Sequence, residues 1–419
     1  MVPGAGVIPT QQGLTPLDAA RAPGVTGLEP TPLPDSHRRL RIAIAHDWLC
    51  GYRGGEGVLE RLIQVVQQEH ELAGLFVMFD DDRPIRPAID TAPKFVSRVG
   101  RLPAASTTRL RQYLMPMYPR AVRQLTDALE AVHAKKPIDL LITSSSAAVK
   151  NMRPPHGVPH LCYCHSPPRY VWAQAKEYQR DRSLRSLGLR FYGKNYQRWD
   201  RIGSSPDYVT RLLANSTYTA EQIAQCYERS ARVLYPPVRT DFFTPAMERV
   251  GQSRADYWLC VGALEPYKRV DLAVLAANKL NQDLLIIGRG TESRTLRRLA
   301  GPKVRFLGYV TDEELREHYR RARLLLFPQV EDFGIVAVEA QACGLPVVAR
   351  RAGGAADTVL EGYTGALFDE PVMEQLIAAT IRCPRRCDSA CRVNAERFGE
   401  RVFDAAIARE IEELCGVGR

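Results

Sequence analysis

Two glutamates bracket the string in this 419-residue chain best suited to chemistry, Glu331-Asp-Phe-Gly-Ile-Val-Ala-Val-Glu339. Were the string helical throughout, its two carboxylates would stand about 12 Å apart at ~1.5 Å of rise per residue. That exceeds the roughly 5–9.5 Å between the paired carboxylates that hydrolyse glycosidic bonds. The two acids suit a grip on separate parts of one long ligand; the plainer alternative is a helix-end acid followed by a solvated one. Phe333, Gly334 and Ile335 fall where a helix would begin, and there free N–H groups and the dipole favour an anion. Gly54 and Gly55 follow an apolar run, where a loop without side chains lets backbone amides approach a phosphate or an acceptor, or simply makes a turn. His165, in CHSPP, ends a further apolar run and is expected at a cleft.

Two other clusters invite a metal reading. Asp80-Asp81-Asp82 could hold Mg²⁺ or Mn²⁺ for a diphosphate ligand, but it lies far in sequence from the glutamate string and reads as a solvated loop. Cys383, Cys387 and Cys391 recur every four residues and would line one helix face. Their spacing differs from zinc motifs and no fourth ligand is near, so they are expected to pack rather than ligate.

These residues need elements to position them. LRIAIAH, LAGLFVMF, IDLLITS, PHLCYCH, RLLANS and ARVLY are short apolar runs, and amphipathic stretches separate most of them. Buried strands alternating with helices imply a parallel sheet covered on both faces. The proline-rich YPPVRTDFFTP interrupts the alternation, which restarts at DYWLCVGAL and continues through QDLLIIG, KVRFLG, ARLLLFP and LPVVAR. The fold class is therefore α/β, with two Rossmann-like parallel-sheet domains facing a cleft. Expected boundaries are a disordered tail over 1–37, a first domain over 38–237 and a second over 238–397, with the last helices, 398–419, folding back on the first domain. Ligands in such folds sit at the carboxyl ends of the strands.

In order along the chain, HDWLCGYRGGEGVLERL, CYCHSPPRYVWA, LLANSTYTAEQI, YPPVRTDFFTP, GALEPYKRVDLAV, VRFLGYVTDEEL and EDFGIVAVEAQACGLPVVA resemble the retaining family-4 glycosyltransferases of GT-B architecture. Within that family the likeness is to mannosyltransferases of bacterial surface polysaccharides. The resemblance spans about Arg41 to Phe398 and implies a donor domain in the second half and an acceptor domain in the first. It implies that Glu339 holds the donor ribose, and that Glu331, with the backbone at Phe333 and Gly334, holds hydroxyls of the transferred sugar. Lys268 matches the cation that meets the diphosphate, with Arg269 beside it either helping or facing solvent. Many relatives carry a second basic residue where this chain has Ala263. His165 matches a histidine near the sugar ring, and Gly308-Tyr309-Val310 would frame the nucleobase through Gly308 and Val310 backbone groups. Arg289, between two glycines, is a weaker donor contact.

The implied co-substrate is a nucleotide sugar, GDP-mannose by the mannosyltransferase likeness, with no required metal and no other cofactor. The implied acceptor is a glycan or a polyprenyl-diphosphate-linked saccharide. A net charge of +10 suits a phosphorylated partner or an anionic membrane face, or is simply that of a basic enzyme. Basic residues interleave with apolar ones from Arg98 to Arg123 and from Lys176 to Arg201, either to rest on headgroups or as ordinary charged helix faces. Nucleic acid is not expected, since no nucleic-acid module is visible. The absence of a long apolar run and of a signal peptide, with ten scattered cysteines, points to a cytoplasmic protein. A sugar-nucleotide epimerase and a non-catalytic sugar-nucleotide binder share these features in part and stay open.

Overall fold

A computed structural model describes residues 38–102, 113–172, 184–246 and 254–416. The expected tail and parts of both basic stretches lie outside the described residues.

The first sheet is built from β1 (Arg41–Leu49), β2 (Glu71–Asp80), β3 (Lys94–Val96), β4 (Leu140–Ser145), β5 (His160–Cys164), β6 (Arg211–Ala214) and β7 (Arg232–Val233). The second contains β8 (Tyr257–Val261), β9 (Asp283–Ile287), β10 (Val304–Gly308), β11 (Leu324–Phe327), β12 (Val347–Arg350) and β13 (Gly365–Phe368). Strand orders are β3-β2-β1-β4-β5-β6-β7 and β10-β9-β8-β11-β12-β13, with parallel pairing. This is the GT-B arrangement of two Rossmann-like domains. The apolar runs follow from it, because a strand with helices on both faces alternates between two cores rather than between core and water. In β1, Ile42 and Ile44 join one buried cluster while Ala43 and Ala45 join the cluster on the opposite face.

Each sheet reverses direction once, between β1 and β4 and again between β8 and β11. A crevice opens at such a reversal, outside the carboxyl ends of the two strands. The loops after β1, β4, β8 and β11 are therefore the ones brought to a site.

The chain leaves the first domain through YPPVRTDFFTP and returns beside it, with Val238 N donating to Phe398 O at 2.9 Å. The returning helix Glu400–Cys415 buries Phe403, Ile407 and Ile411 in the core that Leu59 and Leu62 of helix Gly54–Glu69 also enter. Arg61 pairs with Asp404, and Arg211 and Arg232 both pair with Glu410. Among the described residues no helix is long and apolar enough to cross a membrane.

Candidate functional site

The first-domain wall is organised by Asp47, a buried carboxylate near the end of β1. Its Oδ2 accepts from the amides of Ser146 and Ala147 at 2.6 and 2.8 Å, and its Oδ1 from those of Ala148 and Val149 at 2.7 and 2.9 Å. Four charge-assisted hydrogen bonds lock the exit of β4 onto β1 across the sheet reversal. Ser144 is thereby held between two imidazoles, its Oγ 3.1 Å from His46 Nδ1 and 2.8 Å from His165 Nε2. His46 Nδ1 also lies 3.0 Å from the Ser144 carbonyl oxygen, which requires that nitrogen to carry a proton. The other His46 nitrogen, Nε2, is buried with no hydrogen-bond partner among the described residues. Burial, and then the neighbouring His46, pushes the His165 imidazole down to about 3, so it is neutral near pH 7.

Helix Gly54–Glu69 starts directly over this pair. A Cβ on Gly55 would lie 3.8 Å from His46 Cε1 and 3.9 Å from His165 Nε2. At Gly54 it would reach Ile335 Cδ1 of the second domain at 3.0 Å. Gly54 thus permits the close approach of two helix N-termini, this one and that of Ile335–Ala342.

On the second-domain side, Lys268 closes the short turn Pro266–Lys268 after β8, and Glu331 sits in the loop after β11. The Lys268 ammonium contacts the Glu331 carboxylate as an ion pair. Burial, aided by the Arg169 guanidinium and opposed by Asp332, pushes Lys268 down to about 8. The next acid, Asp332, pairs with Arg169, which comes from the first domain.

The loop is clamped from behind. Gly354 N donates to Glu331 O at 2.9 Å, and a Cβ on Gly354 would come within 2.3 Å of Phe333 Cα. Gly334 takes φ +91°, a left-handed conformation suited to glycine, and caps the helix. The string is therefore not helical throughout. Glu331 stands on a loop and only Glu339 on the helix, which begins at Ile335, within the expected Phe333–Ile335 start.

A cavity of about 350 Å³ lies between the two sheets. Its lining brings together Gly54, Gly55, His165, Lys268, Glu331, Phe333, Gly334 and Ile335 of the expected residues, and adds His46, Ser146, Gln329 and Asp332. Arg269, Gly308, Val310 and Glu339 are not in its wall. Arg269 is chelated by Asp271, with Nε–Oδ1 at 3.0 Å. Gly308 ends β10 against Arg289, and Tyr309 beside it is 77% exposed. Glu339 accepts from Tyr319 OH at 3.3 Å, and burial pushes its carboxyl up to about 7 against the pull of Arg239.

His46, Asp47 and Asp332 all stand inside strings that the sequence marks, but their partners are far away in the chain. Asp80 pairs with Lys94 at 3.5 Å and Asp82 takes φ +56° in a turn, outside the cavity wall. Among the described residues no group of three His, Cys, Asp or Glu is placed to hold a metal ion. The three cysteines do not share a helix face: Cys383 caps the end of Met373–Arg382, Cys387 precedes Asp388–Glu396, and Cys391 lies within it. All three are buried, with the Cys387 and Cys391 sulfurs 3.6 Å apart.

Comparison with known proteins fits this geometry. Residues 248–383 match the family described as Glycosyl transferases group 1, which takes in Lys268, Glu331 and Glu339. Over that stretch the chain is similar to a group 1 glycosyltransferase domain. Among curated relatives of this chain is a GDP-mannose-dependent alpha-(1-6)-phosphatidylinositol monomannoside mannosyltransferase of Mycolicibacterium smegmatis. It is 34% identical over 216 residues, 44% of this chain and 56% of the relative. A D-inositol 3-phosphate glycosyltransferase of the same organism is 36% identical over 186 residues, 39% of this chain and 42% of the relative. The matches thus span about half the length of these relatives. The fold is similar to sucrose-phosphate synthase of Thermosynechococcus elongatus, with TM-score 0.67 and 18% identity over 90% of this chain and 99% of that one. It is also similar to Anabaena HepE in complex with UDP and glucose, with TM-score 0.62 and 16% identity over 90% of this chain and all of that one.

Proposed function

We propose that this chain is a retaining glycosyltransferase that moves mannose from GDP-mannose to a glycan or a lipid-linked saccharide at an anionic membrane face. The observation that carries the reading is the cavity wall itself, where Lys268 and Glu331 meet beside two helix N-termini. A nucleoside diphosphate needs positive potential that is fixed before it arrives, and a buried ammonium with oriented amides supplies it. Glu331 is the acceptor for hydroxyls of the transferred sugar, and Glu339 serves the ribose once deprotonated. The Gly308–Val310 backbone receives the base.

In the transfer, the bond from the sugar C1 to the diphosphate oxygen breaks as the bond from C1 to the acceptor oxygen forms. The departing diphosphate takes the acceptor hydroxyl's proton on the same face, so no protein nucleophile is needed. A neutral His165 fits this scheme as a hydrogen-bonding wall, since it carries no proton to donate as an acid near pH 7. The mannosyl donor is favoured by the likeness to a relative named as GDP-mannose-dependent.

Thermal melting across nucleotide sugars tests the reading, because a ligand at 100 times its Kd stabilises by about 2.7 kcal/mol. GDP-mannose should give the largest shift, and a chelator should leave both binding and turnover intact. A larger shift with a UDP- or ADP-sugar overturns the donor assignment, and no shift with any nucleotide sugar overturns the transferase.

A further inference from the structure

A departing nucleoside diphosphate carries at least two negative charges, whereas Lys268 offers one positive charge and already contacts Glu331. Arg269 does not make up the difference, since its guanidinium is turned onto Asp271. Position 263, on the same loop, is an uncharged alanine. Two further cations come from the other domain: Arg53, in the cavity wall, and Arg169, which is outside that wall but reaches the acid beside Glu331. Arg169 leaves the loop after β5 and pairs with Asp332, the residue next to Glu331 and part of the cavity wall.

The backbone beneath Arg169 is rigid. Pro167 and Pro168 precede it, and the amides of Val171 and Trp172 both donate to Pro168 O, at 3.0 and 3.1 Å. Trp172 Nε1 then donates to the buried Asp200 at 2.8 Å, anchoring the far side of the turn. A guanidinium on so fixed a base presents its planar fork at little entropic cost, which is how Arg recognises phosphate oxygens.

We propose that Arg169 is a second diphosphate-binding cation of the transfer site, carried by the first domain and held ready by Asp332. The inference rests on the transferase reading above. Two cations, Lys268 and Arg169, are parked on adjacent acids of one loop, so an incoming diphosphate finds both without a search. Their proximity also shows in the Lys268 ammonium, which Arg169 helps to push down and which an anion between them would restore. Because Arg169 belongs to the opposite domain, full charge compensation exists only while the two domains face each other. Asp332 is a positioning residue in this scheme.

Calorimetric binding of GDP, GMP and guanosine to the full chain separates the outcomes. Arg169→Ala should weaken GDP by about 10- to 100-fold, the range for a lost hydrogen bond to a charged group, and GMP or guanosine by much less. Arg169→Lys should recover more of the GDP affinity than Arg169→Gln, which keeps the test open if the alanine variant folds poorly. Asp332→Asn should weaken GDP by less than Arg169→Ala does, because the guanidinium loses its positioning partner but keeps its charge. Equal losses from Arg169→Ala and Asp332→Asn would mean the pair is only a latch between domains and would overturn the proposal. So would a phosphate-dependent loss that follows Arg53→Ala, on the same cavity wall, and spares Arg169→Ala. If the parent binds none of the three probes, it is the transferase reading that has failed.

Discussion

Lys268 combines burial, a carboxylate partner and an ammonium held down at about 8. Such a group is charged at neutral pH and loses its charge within reach of experiment. For the free enzyme, kcat/KM should therefore fall on the alkaline side with a midpoint near 8, and Lys268→Arg should remove that limb. The stability effect has the opposite sense. The folded value lies below the ordinary 10.5, so the unfolded chain binds more protons between about 8 and 10.5, and stability from this group rises with pH across that window. Burying the ammonium is a cost that the fold carries at neutral pH, so Lys268→Ala should melt close to the parent. Transfer is another matter, and one lost electrostatic contact to a leaving group typically costs about 10²–10³ in rate. A Lys268→Ala variant that keeps more than about a tenth of parental turnover would place the diphosphate elsewhere.

At the scale of elements, the site depends on a loop gripped by a second loop. Glu331 and Asp332 face the cavity because Gly354 lies against the back of Phe333, closer than any side chain permits. Phe333 is also wedged against Tyr235 and Phe398, at ring distances of 5.7 and 5.5 Å. Gly354→Ala must move the Phe333 backbone, at a cost of about 1–3 kcal/mol by the usual measure of overpacking. It should lower nucleotide affinity more than it lowers the melting temperature, because the loop can yield where the sheet cannot. Gly193→Ala is the control, since among the described residues a Cβ there meets nothing within 4 Å in helix Leu184–Gly203. An equal loss of nucleotide affinity in both variants would separate the Gly353–Gly354 clamp from the site.

Over the whole molecule, the two domains are bound by a chain that crosses between them twice. Helix Glu400–Cys415 completes the core of the first domain although it follows the second in sequence. Ile407 is fully buried there, and Ile407→Ala should cost about 2–5 kcal/mol, read as a lower urea midpoint at unchanged slope. A loss under about 0.5 kcal/mol, typical of surface substitutions, would mean that the helix end is loosely docked.

Much of this architecture is legible in the sequence, because local patterns set local structure. Short apolar runs separated by amphipathic ones are enough for two doubly covered parallel sheets, and their punctuation by YPPVRTDFFTP is enough for two domains. The string from Glu331 to Glu339 and the PYKR turn stand out on residue identity, and the structure brings Glu331 and Lys268 of those two strings to one cavity. Spacing placed the helix start at Phe333–Ile335 but carried no sign of the left-handed φ of +91° by which Gly334 turns the loop into that helix. It also placed three cysteines on one helix where a break separates them. The rest was decided by strand order. Asp47 meets amides about a hundred positions along the chain, and Arg169 meets Asp332 across 163. Those contacts exist because each sheet reverses once and the reversals face a common cavity. No local pattern encodes which strands become neighbours, so the pairing of Lys268 with Glu331, the two imidazoles on Ser144 and the reach of Arg169 into the second domain belong to the tertiary structure alone.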